Sequence, residues 1–229
     1  MSGMAGKFVP LDEELHAYVA SHRSERDPLL AGLAEETSRL GRAAAMQVSP
    51  EQGAFLSILV RAIGARRALE VGTFTGYSAI SIARGLPEDG RLLCCDVSEA
   101  WSAIARSAFV RAGLEDRIEL RVAPALDTLR SLPAGETFDF AFVDADKTSY
   151  RAYHEEILPR LRVDGLLVFD NVLWSGAVVD PSDRTSDTVA LRELNDFLPT
   201  DPRVECVMIP VADGLTIARK RGPDEGARR

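Results

Sequence analysis

From about residue 67 onward, short apolar runs of strand length alternate with amphipathic stretches of helix length, and this alternation constrains the fold more than any other feature of the chain. Residues 68–71, 91–96, 118–122, 138–144 and 166–170 read as strands. The stretches 77–86, 99–112, 124–132 and 149–161 read as the helices between them. Strands that alternate with helices form βαβ units, and their right-handed crossovers build an open parallel sheet.

The flanks follow other patterns. Before residue 65 the sequence predicts only helices: one beginning at 11–15, one over 28–40, and a third opened by Ser49 as N-cap with Pro50 in its first turn. After a helix near 189–198, strands 204–209 and 215–219 flank Pro-Val-Ala-Asp-Gly and read as an antiparallel hairpin. The expected architecture is α/β: a doubly wound, Rossmann-like sheet, mostly parallel, with an antiparallel C-terminal hairpin and N-terminal helices. A chain of 229 residues fits one domain. Its parts are a helical region (1–64), an α/β core (65–220) and a disordered tail (221–229).

Charge and composition narrow the partners. With 27 basic against 35 acidic residues the net charge is −8, which repels a nucleic-acid backbone or an anionic membrane. No apolar run of about 18 residues is present, and the opening MSGMAGKFVP lacks the pattern of a secretory signal, so a cytoplasmic location is expected. Cys94, Cys95 and Cys206 lie in apolar runs without C-x-x-C spacing and read as buried thiols rather than a zinc site. His16, His22 and His154 are too scattered for a metal cluster and read as helix-surface or partly buried residues.

The turn after the first strand, LEVGTFTGYS over residues 69–78, carries the first chemical signal. Gly72 and Gly76 allow a tight turn and close approach of a ligand. In a doubly wound sheet ligands bind at the carboxyl ends of the strands, where the order reverses. The next strand ends in Asp96, a carboxylate able to accept from both hydroxyls of a ribose. The loop departs from G-x-G-x-x-G, and Glu70 suits a cationic ligand better than a pyrophosphate, which favours S-adenosylmethionine over a nicotinamide dinucleotide. An ordinary strand-to-helix turn is the alternative.

A second signal lies two strands further on. Asp144 ends the fourth strand, and Asp170 with Asn171 ends the fifth; these strands are neighbours in a doubly wound order. Two carboxylates and an amide oxygen are hard donors suited to Mg²⁺. Asp146 reads as a cap of the following helix, and Asp170-Asn171 has the alternative of a plain turn. Lys147 is one of only three lysines in a chain with 24 arginines. An amine can give up its proton where a guanidinium cannot, so Lys147 is a candidate general base, with an exposed helix-start lysine as the alternative.

These segments together resemble the cation-dependent O-methyltransferases, the family of the catechol and caffeoyl-coenzyme A enzymes. The resemblance runs from about residue 46 to 220 and rests on MQVSPEQG (46–53), the 69–78 loop, FVDADK (142–147), DNVLWSG (170–176) and PVADGL (210–215). It implies that Glu70, Gly72, Tyr77, Ser78 and Asp96 surround S-adenosylmethionine. Met46, Val48, Ala125 and Asp144 would line the same pocket, and Ala123 stands where the family often has glycine. It further implies that Asp144, Asp170 and Asn171 hold the cation, and that Lys147, with Asp144, performs the catalysis. Family members are commonly homodimers, so a homodimer is expected.

The expected reaction is methyl transfer to a catechol-type small molecule, with Trp174 as an aromatic wall or else a packing residue. The loop after Trp174 leads into the next helix sooner than in plant coenzyme A-dependent relatives. A free catechol is therefore expected, and a thioester stays open. The rivals are a nicotinamide-dependent oxidoreductase, which lacks its G-x-G-x-x-G here, and a catalytically silent S-adenosylmethionine-binding module.

Overall fold

The computed structural model describes residue 9 and residues 12–24, 27–133, 135, 137–223 and 225. Seven strands form one sheet: β1 (Arg67–Val71), β2 (Arg91–Asp96), β3 (Ile118–Val122), β4 (Phe138–Val143), β5 (Leu161–Asp170), β6 (Val204–Ile209) and β7 (Leu215–Lys220). Their order is β3-β2-β1-β4-β5-β7-β6, so the direction of winding reverses between β1 and β4. The first five strands in the chain, β1 to β5, are parallel, and β7 lies antiparallel between β5 and β6.

Both faces of the sheet are covered, and strand parity records it. Ala68, Leu92, Cys94, Phe140, Phe142 and Val168 pack against α2 (Pro28–Ser38), α3 (Pro50–Ala62), α4 (Tyr77–Gly85) and α5 (Glu99–Arg111). Their neighbours Leu69, Leu93, Cys95, Ala141, Val143 and Phe169 pack against α6 (Ala125–Ser131), α7 (Tyr150–Ile157) and α8 (Ser186–Phe197). Successive side chains point to opposite faces, so a strand buried on both reads as an unbroken apolar run. That is why these strands are visible in the sequence.

The helices start where cap chemistry permits. Asp12 accepts from Leu15 N at 2.9 Å to open α1 (Glu13–Ser21), Asp27 caps α2, and Ser49 accepts from Gln52 N at 3.3 Å to open α3. None of the described helices is long and apolar enough to cross a membrane.

Two boundaries differ most from expectation. The helix expected over 149–161 ends at Ile157, because Pro159 enters a 3-10 turn, and β5 begins at Leu161. Its first half was hidden by Arg162 and Asp164, with Asp164 at φ 63° and a register shift between Phe138 and Phe140. At the C-terminal end Arg221 is held rather than loose: its N bonds Arg203 O at 2.8 Å and its Nε bonds Val204 O at 2.7 Å. Residues 224 and 226–229 of the expected tail lie outside the described residues.

His154 is fully buried on α7, not at a helix surface, and Cys206 is only half-buried. His154 Nε2 lies 2.9 Å from Asp201 Oδ2, and Arg203 bonds both Asp201 and Glu155. Burial pushes His154 down despite Asp201. Burial opposes ionisation of Asp201, yet hydrogen bonds from Arg203 and His154 hold it below the usual carboxylate range. Between its folded and unfolded values each group binds fewer protons in the native state, so both contributions are lost on acidification. The histidine part is lost below about pH 6.5 and the carboxylate part below about pH 4. Thermal melts from neutral to acid pH are expected to show Tm falling in both windows, with Asp201→Asn flattening the lower one. An unchanged acid slope in that variant contradicts this account.

Candidate active site

A cavity of about 720 Å³ opens over the carboxyl ends of the central strands, at the point where the strand order reverses. This volume is in the range of small-molecule sites. Met46, Val48, Gly72, Tyr77, Ser78 and Asp96 line one part of it, with Ala123 and Ala125 beside them. Asp144, Lys147, Asp170, Asn171 and Trp174 line the other. The structure thus brings to one cavity every expected site residue except Glu70.

The loop from β1 into α4 is built by close backbone approach. Gly72 has φ 90°, and a Cβ there would stand 1.8 Å from the carbonyl oxygen of Asp144. Asp144 N in turn donates to Val71 O at 2.8 Å, locking the end of β4 against this loop. Asp96 has a structural task that the sequence did not reveal. Its Oδ2 accepts from Thr73 N at 3.0 Å and Phe74 N at 2.8 Å, and its Oδ1 accepts from Ser98 N at 2.8 Å. A carboxylate has about four lone-pair positions, so capacity for a ligand's hydroxyls is left. Phe74 meets Trp101 edge-on with ring centroids 5.0 Å apart, and both line the cavity. Trp101 was missed; its only signal is its place two residues into the helix that follows Asp96.

Glu70 lies beneath the cavity and not on its wall. It sits on the strand face that packs against α3 and α4, fully buried, with Cys94 Sγ 3.4 Å from its Oε2. Burial pushes its carboxyl up to about 7, against the lowering influence of the Ser78 and Thr73 hydroxyls. Glu70 therefore faces the cavity only through neighbours such as Ser78.

On the other side of the cavity, oxygen atoms gather around one ammonium. Lys147 is 6% exposed, and its Nζ donates to Asp144 Oδ1 at 3.0 Å, Asn171 Oδ1 at 2.7 Å and the Tyr150 hydroxyl at 2.7 Å. The alternative of an exposed helix-start lysine does not survive. The Tyr150 hydroxyl itself donates to Asp170 O at 3.1 Å, and the Trp174 ring centroid is 5.5 Å from Nζ. Asp170 accepts from Gln52 Nε2 at 2.7 Å and from Asn171 N at 2.7 Å. Burial, and next the charge of Asp144, push Asp170 up to about 7.

Asp146 is a correction. Its side chain caps no helix but accepts from the Tyr153 hydroxyl at 2.6 Å, because a 3-10 turn over Lys147–Ser149 intervenes before α7. Gln52 and Tyr150 were missed as site residues. Tyr150 left one trace, its spacing of three from Lys147; Gln52 left only its place in the MQVSPEQG segment, since its partner is 118 residues away.

Among the described residues no group of three or more His, Cys, Asp or Glu side chains is arranged to hold a metal ion. The candidate donors are instead two carboxylates and an amide, and the structure tests their fit. Asp144 and Asn171 already converge on a cation, the Lys147 ammonium, and Asp170 stands beside them with its charge disfavoured by Asp144. Hard oxygen donors with surplus negative charge fit a divalent ion of the Mg²⁺ type.

The chain as a whole agrees with this geometry. Residues 20–221 match the family model described as O-methyltransferase. The chain belongs to the O-methyltransferase family. Caffeoyl-CoA O-methyltransferase 2 of Populus trichocarpa is 39% identical to this O-methyltransferase over 185 residues, covering 76% of this chain and 75% of the relative. Tricin synthase 1 of Oryza sativa subsp. japonica is 41% identical over 188 residues with the same coverages.

Solved structures agree. The O-methyltransferase from Bacillus cereus in complex with SAH has a TM-score of 0.84 at 35% identity, covering 91% of this chain and 97% of that one. TomG from Streptomyces achromogenes, involved in tomaymycin synthesis and solved with SAM, has a TM-score of 0.84 at 33% identity, covering 91% and 96%. The O-methyltransferase is thus an enzyme with a seven-stranded methyltransferase fold.

Proposed function

We propose that this O-methyltransferase moves the methyl group of S-adenosylmethionine to one hydroxyl of a catechol-type, vicinal dihydroxyphenyl small molecule, with Mg²⁺ or a similar divalent ion as cofactor. The observation that carries the reading is the convergence of Asp144 and Asn171 on Lys147 Nζ, beside Asp170, in the wall of the cavity. The named relatives support it, since they include caffeoyl-CoA O-methyltransferases and structures holding SAH or SAM.

Asp96 would hold the ribose, and Gly72, Tyr77, Ser78, Met46 and Val48, which line the cavity beside it, would enclose the rest of the methyl donor. Asp144, Asp170 and Asn171 would hold the cation. When bound, the donor supplies an electrophilic sulfonium methyl, and the ion supplies a positive charge that makes both acceptor hydroxyls easier to ionise. Lys147 Nζ, its position determined by Asp144, Asn171 and Tyr150, would first give up one proton to solvent, and the neutral amine would then receive the acceptor's proton. Trp174 presents its ring beside Lys147 and shields that proton transfer from water. Charge on the nucleophile and on the sulfonium is neutralised as methyl moves, so orientation is the main task of the site.

The experiment is a methylation assay on caffeic acid with and without excess chelator. Turnover is expected to fall at least about 10²-fold when the metal is removed and to return with Mg²⁺, in line with loss of a principal catalytic group. Undiminished turnover after complete metal removal rejects the cation. No turnover under any metal condition rejects the acceptor class.

A further inference from the structure

The segment carrying Trp174 is the most strained backbone beside the cavity. Asn171, Trp174 and Ser175 have φ of 57°, 49° and 52°, left-handed values that cost energy in residues other than glycine. Such a conformation persists only where neighbours impose it. Asn195 Nδ2 donates to Val172 O at 2.8 Å, and Asp213 Oδ1 accepts from Ser175 N at 2.6 Å.

Just beyond, one side chain holds the remainder of the loop. The Arg192 guanidinium, on α8, donates to Ala177 O at 2.7 Å, Val178 O at 2.8 Å, Asp183 O at 2.8 Å and Asp180 O. These are main-chain carbonyls of one loop, converging on a planar, permanently charged group that only donates. The loop's own main-chain bonds among the described residues are turn contacts, such as Asp180 N to Ala177 O and Asp183 N to Asp180 O. A lysine in place of Arg192 has a single nitrogen and cannot reach so many carbonyls at once. Arg192 itself does not line the cavity.

We propose that Arg192 sets the acceptor selectivity of the enzyme, by pinning the 177–183 loop so that Trp174 stays at the cavity wall beside Lys147. The inference rests on the reading that a dihydroxyphenyl acceptor lies against Trp174. Arg192 is a positioning residue: it touches the loop, the loop places the wall, and the wall orients a small aromatic ring. A pinned wall favours compact acceptors and disfavours those with a bulky extension. The methyl-donor side, built from Asp96, Gly72 and the segment before α3, has no share in this clamp.

The test compares Arg192→Met and Arg192→Lys with the wild type, using caffeic acid and caffeoyl-CoA as acceptors and SAH binding by calorimetry. Arg192→Met is expected to raise the caffeic acid KM roughly tenfold, as expected for a misplaced wall, and to shift the kcat/KM ratio toward caffeoyl-CoA by at least about threefold. SAH affinity is expected to stay within about twofold of wild type, and Arg192→Lys to recover part of the selectivity. An unchanged KM and ratio in either variant, or SAH affinity lost in step with acceptor affinity, overturns the proposal.

A readout independent of turnover separates this from the parent reading. In a Trp101→Phe background, Trp174 fluorescence is expected to become more accessible to acrylamide when Arg192 is replaced. Unchanged quenching refutes the clamp even in an active enzyme. Increased quenching in an enzyme that methylates neither acceptor refutes the acceptor class and leaves the clamp.

Discussion

Lys147→Arg is expected to lower kcat by about 10²–10⁴-fold, roughly 3 to 5 kcal/mol of barrier, while SAH affinity stays near wild type. The expectation follows from where the amine sits. Its Nζ is surrounded by Asp144, Asn171 and Tyr150 within 3.0 Å, and the side chain is 6% exposed. A guanidinium keeps the positive charge but cannot act as a base, and its planar fork is too large for a space bounded by those oxygens. A bulkier cation there also displaces Asp144 and Asn171 from the positions in which they would hold a divalent ion. Single-turnover kinetics with calorimetry of SAH binding checks the result. A fully active arginine variant reduces Lys147 to a positioning charge, and parallel loss of SAH affinity assigns it to the architecture of the whole cavity.

Gly72→Ala is expected to cost about 4 kcal/mol or more of stability and to abolish binding of the methyl donor. The position has φ 90°, and the new Cβ would stand 1.8 Å from Asp144 O and 2.6 Å from Asp144 C. Both are backbone atoms, so no flexible side chain can yield. The end of β1 must separate from the end of β4, which breaks the 2.8 Å bond from Asp144 N to Val71 O and moves a candidate cation ligand. Gly113→Ala is the control: φ is 66°, a Cβ there would meet nothing within 4 Å, and only the conformational cost of about 1 kcal/mol applies. Thermal denaturation of both variants is the measurement. A Gly72→Ala melting temperature equal to that of Gly113→Ala contradicts the packing argument.

The N-terminal helices take part in the site in a way that bears on both results. Gln52 on α3 donates to Asp170 at 2.7 Å, and Ser49, which caps α3 and lines the cavity, bonds Gln52 N. A displaced β4 or β5 end therefore also disturbs the segment before α3 that lines the cavity. The helical region is part of the cavity and not an appendage to the sheet.

The sequence by itself determined the doubly wound sheet, the turn at Gly72 and Gly76, and the acidic ends of β4 and β5. These are local signals: apolar periodicity, glycine at positive φ, and charged residues at strand ends are each written within a few consecutive residues. Tertiary structure alone decided that β7 lies between β5 and β6, that Gln52 reaches Asp170, that Glu70 lies below the cavity, that Asp146 bonds Tyr153, and that Arg192 gathers the 177–183 loop. Each depends on which residue, near or far along the chain, the packing of elements brings into contact. Burial then favours a partner for each polar group there, whatever its separation along the chain.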